Sequence, residues 1–348
     1  MKKVHIIGTV GIPACYGGFE TLVEYLAEQQ KTDITVYCSG KTYSKENRKH
    51  IYKNAKLIYL PFKANGLHSV IYDIVSLFIA AFKKADSVLI LGVSGCLLLP
   101  AFRLFSKAKV VTNIDGLEWK RDKWGKGAKS FLKLSERIAV RFSDVIISDN
   151  QAIADYVKEE YNVSSEVIAY GGDHAFPSDA NICDKGYALA LCRIEPENNV
   201  AMILQAFSRI NKELIFVGNW RNSAFGLELL SKYSSCPNIK MLDPIYDLDK
   251  LAELRAGCSL YVHGHSAGGT NPSLVEFMHF GKKTYCFDCN YNRASTENQA
   301  FYFSNEEELC QLIQNDHACH ENPKMAEIAN RRYTWEKVRE QYYKILSR

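Results

Sequence analysis

The run Ser266-Ala267-Gly268-Gly269-Thr270-Asn271-Pro272-Ser273-Leu274-Val275-Glu276 brings two glycines, a helix start and a carboxylate together within a few residues. Residues 259–263 before it read as a buried strand. Residues 272–280 read as a helix with Pro272 in its first turn and Thr270 or Asn271 as its cap. A strand, a glycine turn and a helix start together present backbone N–H groups backed by the positive end of the helix dipole. That arrangement suits an anion, and a phosphate in particular. Glu276, about one turn inside the helix, is placed to accept hydrogen bonds from the hydroxyls of a nucleotide sugar. A tight turn ahead of an ordinary surface helix accounts for the same residues without a ligand.

A second glycine-bearing loop, residues 8–20, follows the first apolar run and leads into a helix through Tyr16-Gly17-Gly18-Phe19-Glu20. It is too long, and Gly8, Gly11, Gly17 and Gly18 are wrongly spaced, for the dinucleotide fingerprint; nor is it a Walker loop. The Gly17-Gly18 pair permits close backbone approach to a ligand, or forms a simple turn. Metal chemistry is weakly represented. Asp247-Leu248-Asp249 reads as a helix start, and Asp288 follows a strand without a partner acid. Cys286-Phe287-Asp288-Cys289 and His317-Ala318-Cys319-His320 are isolated clusters, better read as buried or incidental cysteines. No metal is expected.

The elements that must position these residues alternate along the chain. Residues 4–8, 34–38, 56–60, 87–91, 110–113, 145–148 and 166–169 read as strands of one sheet. Residues 187–192, 214–217, 239–242, 260–263, 283–287 and 301–303 read as those of a second. Helical patterns lie between them, the signature of parallel α/β architecture. The turn-rich segment 171–179 separates the series. The expectation is two doubly wound domains facing across a cleft, with ligands at the carboxyl ends of the strands. A first domain of residues 1–178, a second of 179–332 and a final helix of 333–348 are expected. Thr334 caps that helix, and Trp335 and Tyr342 read as packing anchors.

Composition sets wider bounds. The 348 residues, 47% hydrophobic and 24% charged, suit a globular protein of two domains. Eleven cysteines, an odd number and several beside apolar strands, together with Met1-Lys2-Lys3 running directly into a strand, point to a reducing cytoplasm. The longest apolar stretch, residues 70–105, is broken by Asp73, Lys83, Lys84, Asp86 and Arg103, so no span of a bilayer is expected. Basic residues outnumber acidic ones by 24 to 18 in residues 1–178 and trail by 19 to 21 in the remainder. Much of that excess lies in residues 120–129 and the helix that follows, with Trp119 and Trp124 interleaved among the cations. This segment suits either an anionic lipid surface at the inner face of a membrane or a solvated basic face. No nucleic-acid partner is expected.

Taken together, Tyr16-Gly17-Gly18-Phe19-Glu20, Tyr170-Gly171-Gly172-Asp173, Arg193 with Glu195-Pro196-Glu197-Asn198-Asn199, and the stretch from Gly269 to Glu276 resemble retaining glycosyltransferases of family 4. Order and spacing match over nearly the whole chain. The resemblance implies the GT-B fold, with a final helix crossing back to the first domain. Within the family the chain most resembles bacterial rhamnosyltransferases of capsule and exopolysaccharide synthesis. The strings that carry this are Asn113-Ile114-Asp115-Gly116-Leu117-Glu118-Trp119-Lys120-Arg121, Asp149-Asn150, Gly218-Asn219-Trp220 and His263-Gly264-His265.

What the resemblance implies for the site follows residue by residue. Glu276 matches the second glutamate of the family's Glu-x7-Glu motif and would hold ribose hydroxyls. Gly17 and Gly18 would approach the donor diphosphate and the acceptor. Arg193 would neutralise the diphosphate as it departs, a task that suits an always-charged guanidinium. The family's first glutamate is replaced by Gly268 and its lysine by Asn198. Substitutes are sought among His263, His265, Asn198, Asn199 and Lys120. The donor set is therefore Gly17, Gly18, Arg193, Asn198, His263, Gly269, Thr270, Asn271 and Glu276, with Asp115 and Glu118 as acceptor-orienting residues unless they are simple caps.

The implied reaction moves a sugar, rhamnose from dTDP-rhamnose, with retention onto a lipid-linked saccharide, without cofactor or metal. Most of the catalysis would be electrostatic, through Arg193 and the Thr270 and Asn271 amides. A nucleotide-sugar epimerase of the same fold, or a binding protein without catalysis, remains the alternative.

Overall fold

The computed structural model describes residues 1–15, 17–29, 32–66, 68–114, 116–120, 124–177, 184–315 and 321–347. Its internal contacts divide the chain into two units, Met1–Ala169 together with Glu336–Arg348, and Tyr170–Trp335. Sequence expectation had placed the divisions after residues 178 and 332.

Unit 1 is built on strands β1 (Lys3–Ile7), β2 (Asp33–Ser39), β3 (Ile51–Tyr52), β4 (Ala55–Leu60), β5 (Ser87–Leu91), β6 (Lys109–Asn113), β7 (Val145–Ser148) and β8 (Glu166–Val167). Among the described residues they form one sheet in the order β3-β4-β2-β1-β5-β6-β7-β8. All neighbours are parallel except β3 with β4. The central strands are fully buried aliphatic runs, as in Val4, Ile6, Val88 and Val110, because helices cover both faces of a parallel sheet. These are α1 (Gly18–Leu26), α2 (His68–Phe82), α3 (Leu99–Phe105), α4 (Lys126–Phe142) and α5 (Gln151–Tyr161). The two-residue β3 was not anticipated, being too short to show a period.

Unit 2 uses β9 (Tyr187–Leu191), β10 (Leu214–Val217), β11 (Ile239–Leu242), β12 (Cys258–His263), β13 (Lys283–Phe287) and β14 (Phe301–Phe303). They form an all-parallel sheet in the order β11-β10-β9-β12-β13-β14. Its helices are α6 (Val200–Ser208), α7 (Ala224–Tyr233), α8 (Leu248–Gly257), α9 (Pro272–Met278), α10 (Asn290–Ser295), α11 (Glu306–Gln314) and α12 (Pro323–Arg332). Leu204, Phe207, Phe216, Trp220, Leu260 and Phe303 centre one core of this unit.

The last helix, α13 (Trp335–Leu346), returns to unit 1 from Glu336 onward. Val338, Tyr342 and Leu346 are buried there. Asn113 donates to the Tyr342 hydroxyl at 2.8 Å, and Tyr343 donates to the Leu26 carbonyl at 2.5 Å. Ser87 Oγ and Lys109 Nζ donate to the carbonyls of Leu346 and Ile345 at 3.1 and 2.7 Å, satisfying the open end of the helix.

Candidate functional site

In unit 2 the strand order reverses between β9 and β12, and open parallel sheets bind ligands outside the carboxyl ends at such a reversal. The two loops that leave these strands are tied into one platform. Asn199 Nδ2 donates to the Gly264 carbonyl at 2.8 Å, and the Ser266 amide and hydroxyl both reach the Glu197 carbonyl, at 3.0 and 2.8 Å. Arg193 stands at the end of β9 with its side chain 57% exposed and Glu195 at 3.7 Å, so its guanidinium is open to a ligand.

Asn198 has a different role from the one its position suggests. It is buried, its Nδ2 donates to the Arg193 carbonyl at 2.7 Å, and its Oδ1 lies 2.9 Å from His265 Nδ1. Both ends of the amide are committed inside the protein, so Asn198 shapes the Arg193 loop. His263 is also buried, and its Nε2 makes no hydrogen bond within the described residues. Burial, with His265 beside it, holds its imidazole well below the ordinary histidine range, so the ring is neutral.

Glu276 sits on α9, held between two partners. Arg255 of α8, with a side chain only 2% exposed, donates to Oε2, and His174 Nε2 lies 3.5 Å from Oε1. The Trp335 indole donates to His174 Nδ1 at 2.9 Å, which leaves the proton of the neutral ring on Nε2, toward the carboxylate. Burial lowers the His174 pKa, and Arg255 adds to this while Glu276 opposes it. Gly172 explains the glycine pair nearby. A Cβ there would stand 2.7 Å from the Val275 carbonyl oxygen and 2.8 Å from the Glu276 nitrogen, so only glycine lets this loop lie against α9.

The helix start behaves differently from the expected anion cradle. Asn271 Oδ1 accepts from the Ser273 amide at 3.0 Å, the amides of Leu274 and Val275 reach the Asn271 carbonyl, and Pro272 has no N–H. The first turn is therefore satisfied internally, and backbone donors toward an anion must come from Gly268, Gly269, Thr270 and Asn271 instead. Gly268 has φ +127°, a conformation that disfavours any side chain. The glutamate that the family resemblance expects at this position would be strained here unless the backbone moved.

In unit 1, Gly17 is the N-cap of α1 and Gly18 its first residue. Buried Glu20 fixes the loop before them, accepting from Thr9 Oγ1 and from the Val10 amide, each at 2.7 Å. Glu118 accepts from the Trp124 indole at 3.0 Å, and Asp115 lies outside the described residues. The neighbouring Trp119 donates to Glu136 Oε2 at 3.0 Å, and Tyr156 and Tyr161 both donate to Oε1 at 2.6 Å. Glu136 is 1% exposed and anchors the Glu118–Lys120 segment to α4 and α5. Glu136→Gln should lower unfolding free energy by about 2 kcal/mol, because hydrogen bonds to a charged acceptor become neutral ones. Urea titration read by tryptophan fluorescence checks this; an unchanged midpoint would leave the cluster without energetic weight.

Among the described residues, no group of three or more His, Cys, Asp or Glu side chains is placed to hold a metal ion. Asp247 caps α8, and Asp288 is paired with Arg293 at 2.5 and 2.7 Å. Cys286 and Cys289 are free thiols; residues 316–320, with His317, Cys319 and His320, lie outside the described residues.

Known structures with the same arrangement decide the architecture. A sucrose-phosphate synthase from Thermosynechococcus elongatus aligns over 99% of this chain and 98% of its own at 13% identity, with a TM-score of 0.81. Anabaena HepE in complex with UDP-glucose aligns over 100% of this chain and 99% of its own at 14% identity, with a TM-score of 0.73. The fold is GT-B. The catalytic domain of Arabidopsis thaliana starch synthase IV, bound to ADP and acarbose, shares it over 99% of this chain and 98% of its own at 10% identity, with a TM-score of 0.69. Residues 1–173 match a family described as a domain of unknown function, DUF1972. No curated protein matches the chain in sequence.

In this GT-B chain, sequence reasoning missed Arg255 and His174. The only signal for Arg255 was a cation in the last turn of a helix running directly into the buried strand β12. His174 had a stronger one, adjacency to the Gly171-Gly172-Asp173 string, but its partner Trp335 is remote in sequence.

Proposed function

We propose that this GT-B chain is a glycosyltransferase that takes its sugar from a nucleotide-sugar donor held by unit 2. The observation that carries the reading is the pairing, on one domain, of an exposed Arg193 guanidinium at the strand-order reversal with a Glu276 carboxylate fixed by Arg255 and His174. A carboxylate has about four lone-pair sites, and two partners leave room for the two ribose hydroxyls. Arg193 offers paired donors to diphosphate oxygens. His263 Nε2, buried and unpaired among the described residues, suits one further polar contact to the donor. UDP and UDP-glucose in the HepE structures support a nucleotide sugar as the donor class.

The finer reading is rhamnose from dTDP-rhamnose, transferred with retention to a lipid-linked saccharide in surface polysaccharide synthesis, without metal. In that step the bond from the anomeric carbon to the diphosphate oxygen breaks, and a bond to the acceptor oxygen forms on the same face. The acceptor's proton passes to the departing phosphate. Arg193 stabilises the charge that grows on that phosphate. The acceptor roles of Asp115 and Glu118 rest on their place in the sequence just after the strand of residues 110–113 and on the family resemblance.

The test is acceptor-dependent release of nucleoside diphosphate across a panel of donors including dTDP-rhamnose and UDP-glucose, with and without chelator. Arg193→Ala should lower kcat by about 10²–10³-fold, as removal of a transition-state donor does elsewhere. Full activity in that variant would overturn the site. Epimerised donor without acceptor would overturn transfer, and loss of turnover with chelator would overturn metal independence.

A further inference from the structure

Helix α2, with the sequence HSVIYDIVSLFIAAF, carries one acidic residue and no lysine or arginine in its 15 residues. Its inner face, Tyr72, Asp73, Ser76, Leu77 and Ala80, is buried. An amphipathic surface helix would turn polar residues outward. Beyond His68 in its first turn, the exposed positions are Ile71, Phe78 and Phe82, at 51%, 51% and 75%, and the two phenylalanine rings lie 5.2 Å apart, tilted by 55°. Helix α3 packs against α2 and ends in Leu104 and Phe105, 81% and 76% exposed; α4 packs against α3 and exposes Leu134. Single exposed apolar residues are ordinary, but six large ones on three neighbouring helices of one unit mark a contact surface.

Cations outnumber acids around this face. Lys83 and Lys84 follow α2, Lys107 follows α3, and Arg137 and Arg141 lie on α4, all exposed. The three helices contain only two carboxylates, Asp73 and Glu136, and both are buried. Among the described residues, the exposed acids that follow these helices in sequence precede the strands and are engaged: Asp86 accepts from the Lys3 amide, and Asp144 is paired with Arg103 at 2.7 Å. The Trp119 and Trp124 indoles, which sequence suggested as the lipid-facing groups, are hydrogen bonded to Glu136 and Glu118 instead.

We propose that the outer face of α2, α3 and α4 docks on an anionic lipid surface, with Phe78, Phe82, Leu104 and Phe105 entering the headgroup layer and the surrounding lysines and arginines meeting lipid phosphates. Apolar side chains and a basic rim are the two signals that together give stable binding at a lipid interface. A second copy of the chain is the poorer occupant, because pairing this face with itself sets cation against cation. Docking here would serve a lipid-linked acceptor, and in its purpose the inference rests on that reading, but binding itself requires no turnover.

The experiment is co-sedimentation of the full chain with phosphatidylcholine vesicles, with and without about a third phosphatidylglycerol. The chain should sediment with the anionic vesicles, weakly with the neutral ones, and less as salt is raised. Phe82→Ser/Phe105→Ser should weaken the partition by about tenfold or more, and Lys83→Glu/Lys84→Glu should do so by a similar factor. Circular dichroism checks that each variant is folded, and the lysine pair, being exposed, keeps the test decisive if the phenylalanine pair is not. No vesicle binding by the parent chain, or parent-like binding by both variants, overturns the proposal. So does a dimer in light scattering that the phenylalanine variant disperses without any vesicle binding. Turnover with a water-soluble acceptor separates the two readings. Vesicle binding without turnover overturns transfer alone, and turnover without vesicle binding overturns docking alone.

Discussion

Arg255→Met is expected to cost about 3–5 kcal/mol of unfolding free energy, since it strands the half-buried Glu276 carboxylate without its principal cation. Methionine fills a similar volume, so the loss reports charge rather than a cavity. Removing both charges separates these contributions. Arg255→Met/Glu276→Gln should recover most of the loss, because neither partner is then left ionised and unpaired. Urea titration of the parent, both single variants and the double variant gives the full cycle. A double variant as unstable as Arg255→Met would show that Arg255 acts through packing alone. On the proposed reading, Glu276 would hold a part of the donor that does not react. KM for the nucleotide sugar should therefore rise in Arg255→Met while kcat changes less.

The second large effect is expected at Asp73 in unit 1, 2% exposed beneath the turn that follows β5. Ser94 donates to its Oδ2, and its Oδ1 makes no hydrogen bond within the described residues. Burial pushes this carboxyl up to about 7, with the Ser94 hydrogen bond opposing the shift. An unfolded aspartate ionises near 3.8, so between about pH 4 and pH 7 the folded chain holds a proton that the unfolded chain has lost. Stability from this group is greatest in acid and falls as pH rises through that window, by about 4 kcal/mol in all. Asp73→Asn keeps the shape and cannot ionise. Its stability relative to the parent should therefore improve by about 3 kcal/mol between pH 5 and pH 8, the part of the window those two points span. Guanidinium titrations at both pH values test this. Parallel pH profiles for the two proteins would mean that Asp73 is ionised in the folded chain across the range.

Much of the architecture could be read from the chain, because buried parallel strands are long apolar runs bounded by turn residues. The expected strands appear within a residue or two, and among the described residues only β3 was missed. The candidate donor residues lie on the expected loops, but their chemistry was less legible. Asn198 stands where the family it resembles carries a lysine, yet its neighbours turn its amide inward, and nothing in its local sequence distinguishes the two outcomes. Glu276 depends on partners 21 and 102 positions away, beyond the reach of any short motif. Two strings used for the resemblance also have structural work. Asn150 caps α5 by accepting from the Ala152 amide at 2.9 Å, and Trp220 is a core side chain that donates to the Leu242 carbonyl at 3.0 Å.

The return of α13 to unit 1 sets an order on assembly. A ribosome releases residues 1–169 first, yet the helix that accepts Ser87, Lys109 and Asn113 is made only after all of unit 2. Unit 2 is one continuous segment and can close while the chain is still being extended; unit 1 must wait for these partners. A circular permutant that places residues 336–348 ahead of Met1 would let unit 1 close first. Its refolding yield, set against that of the parent, would measure what the late arrival of the helix costs.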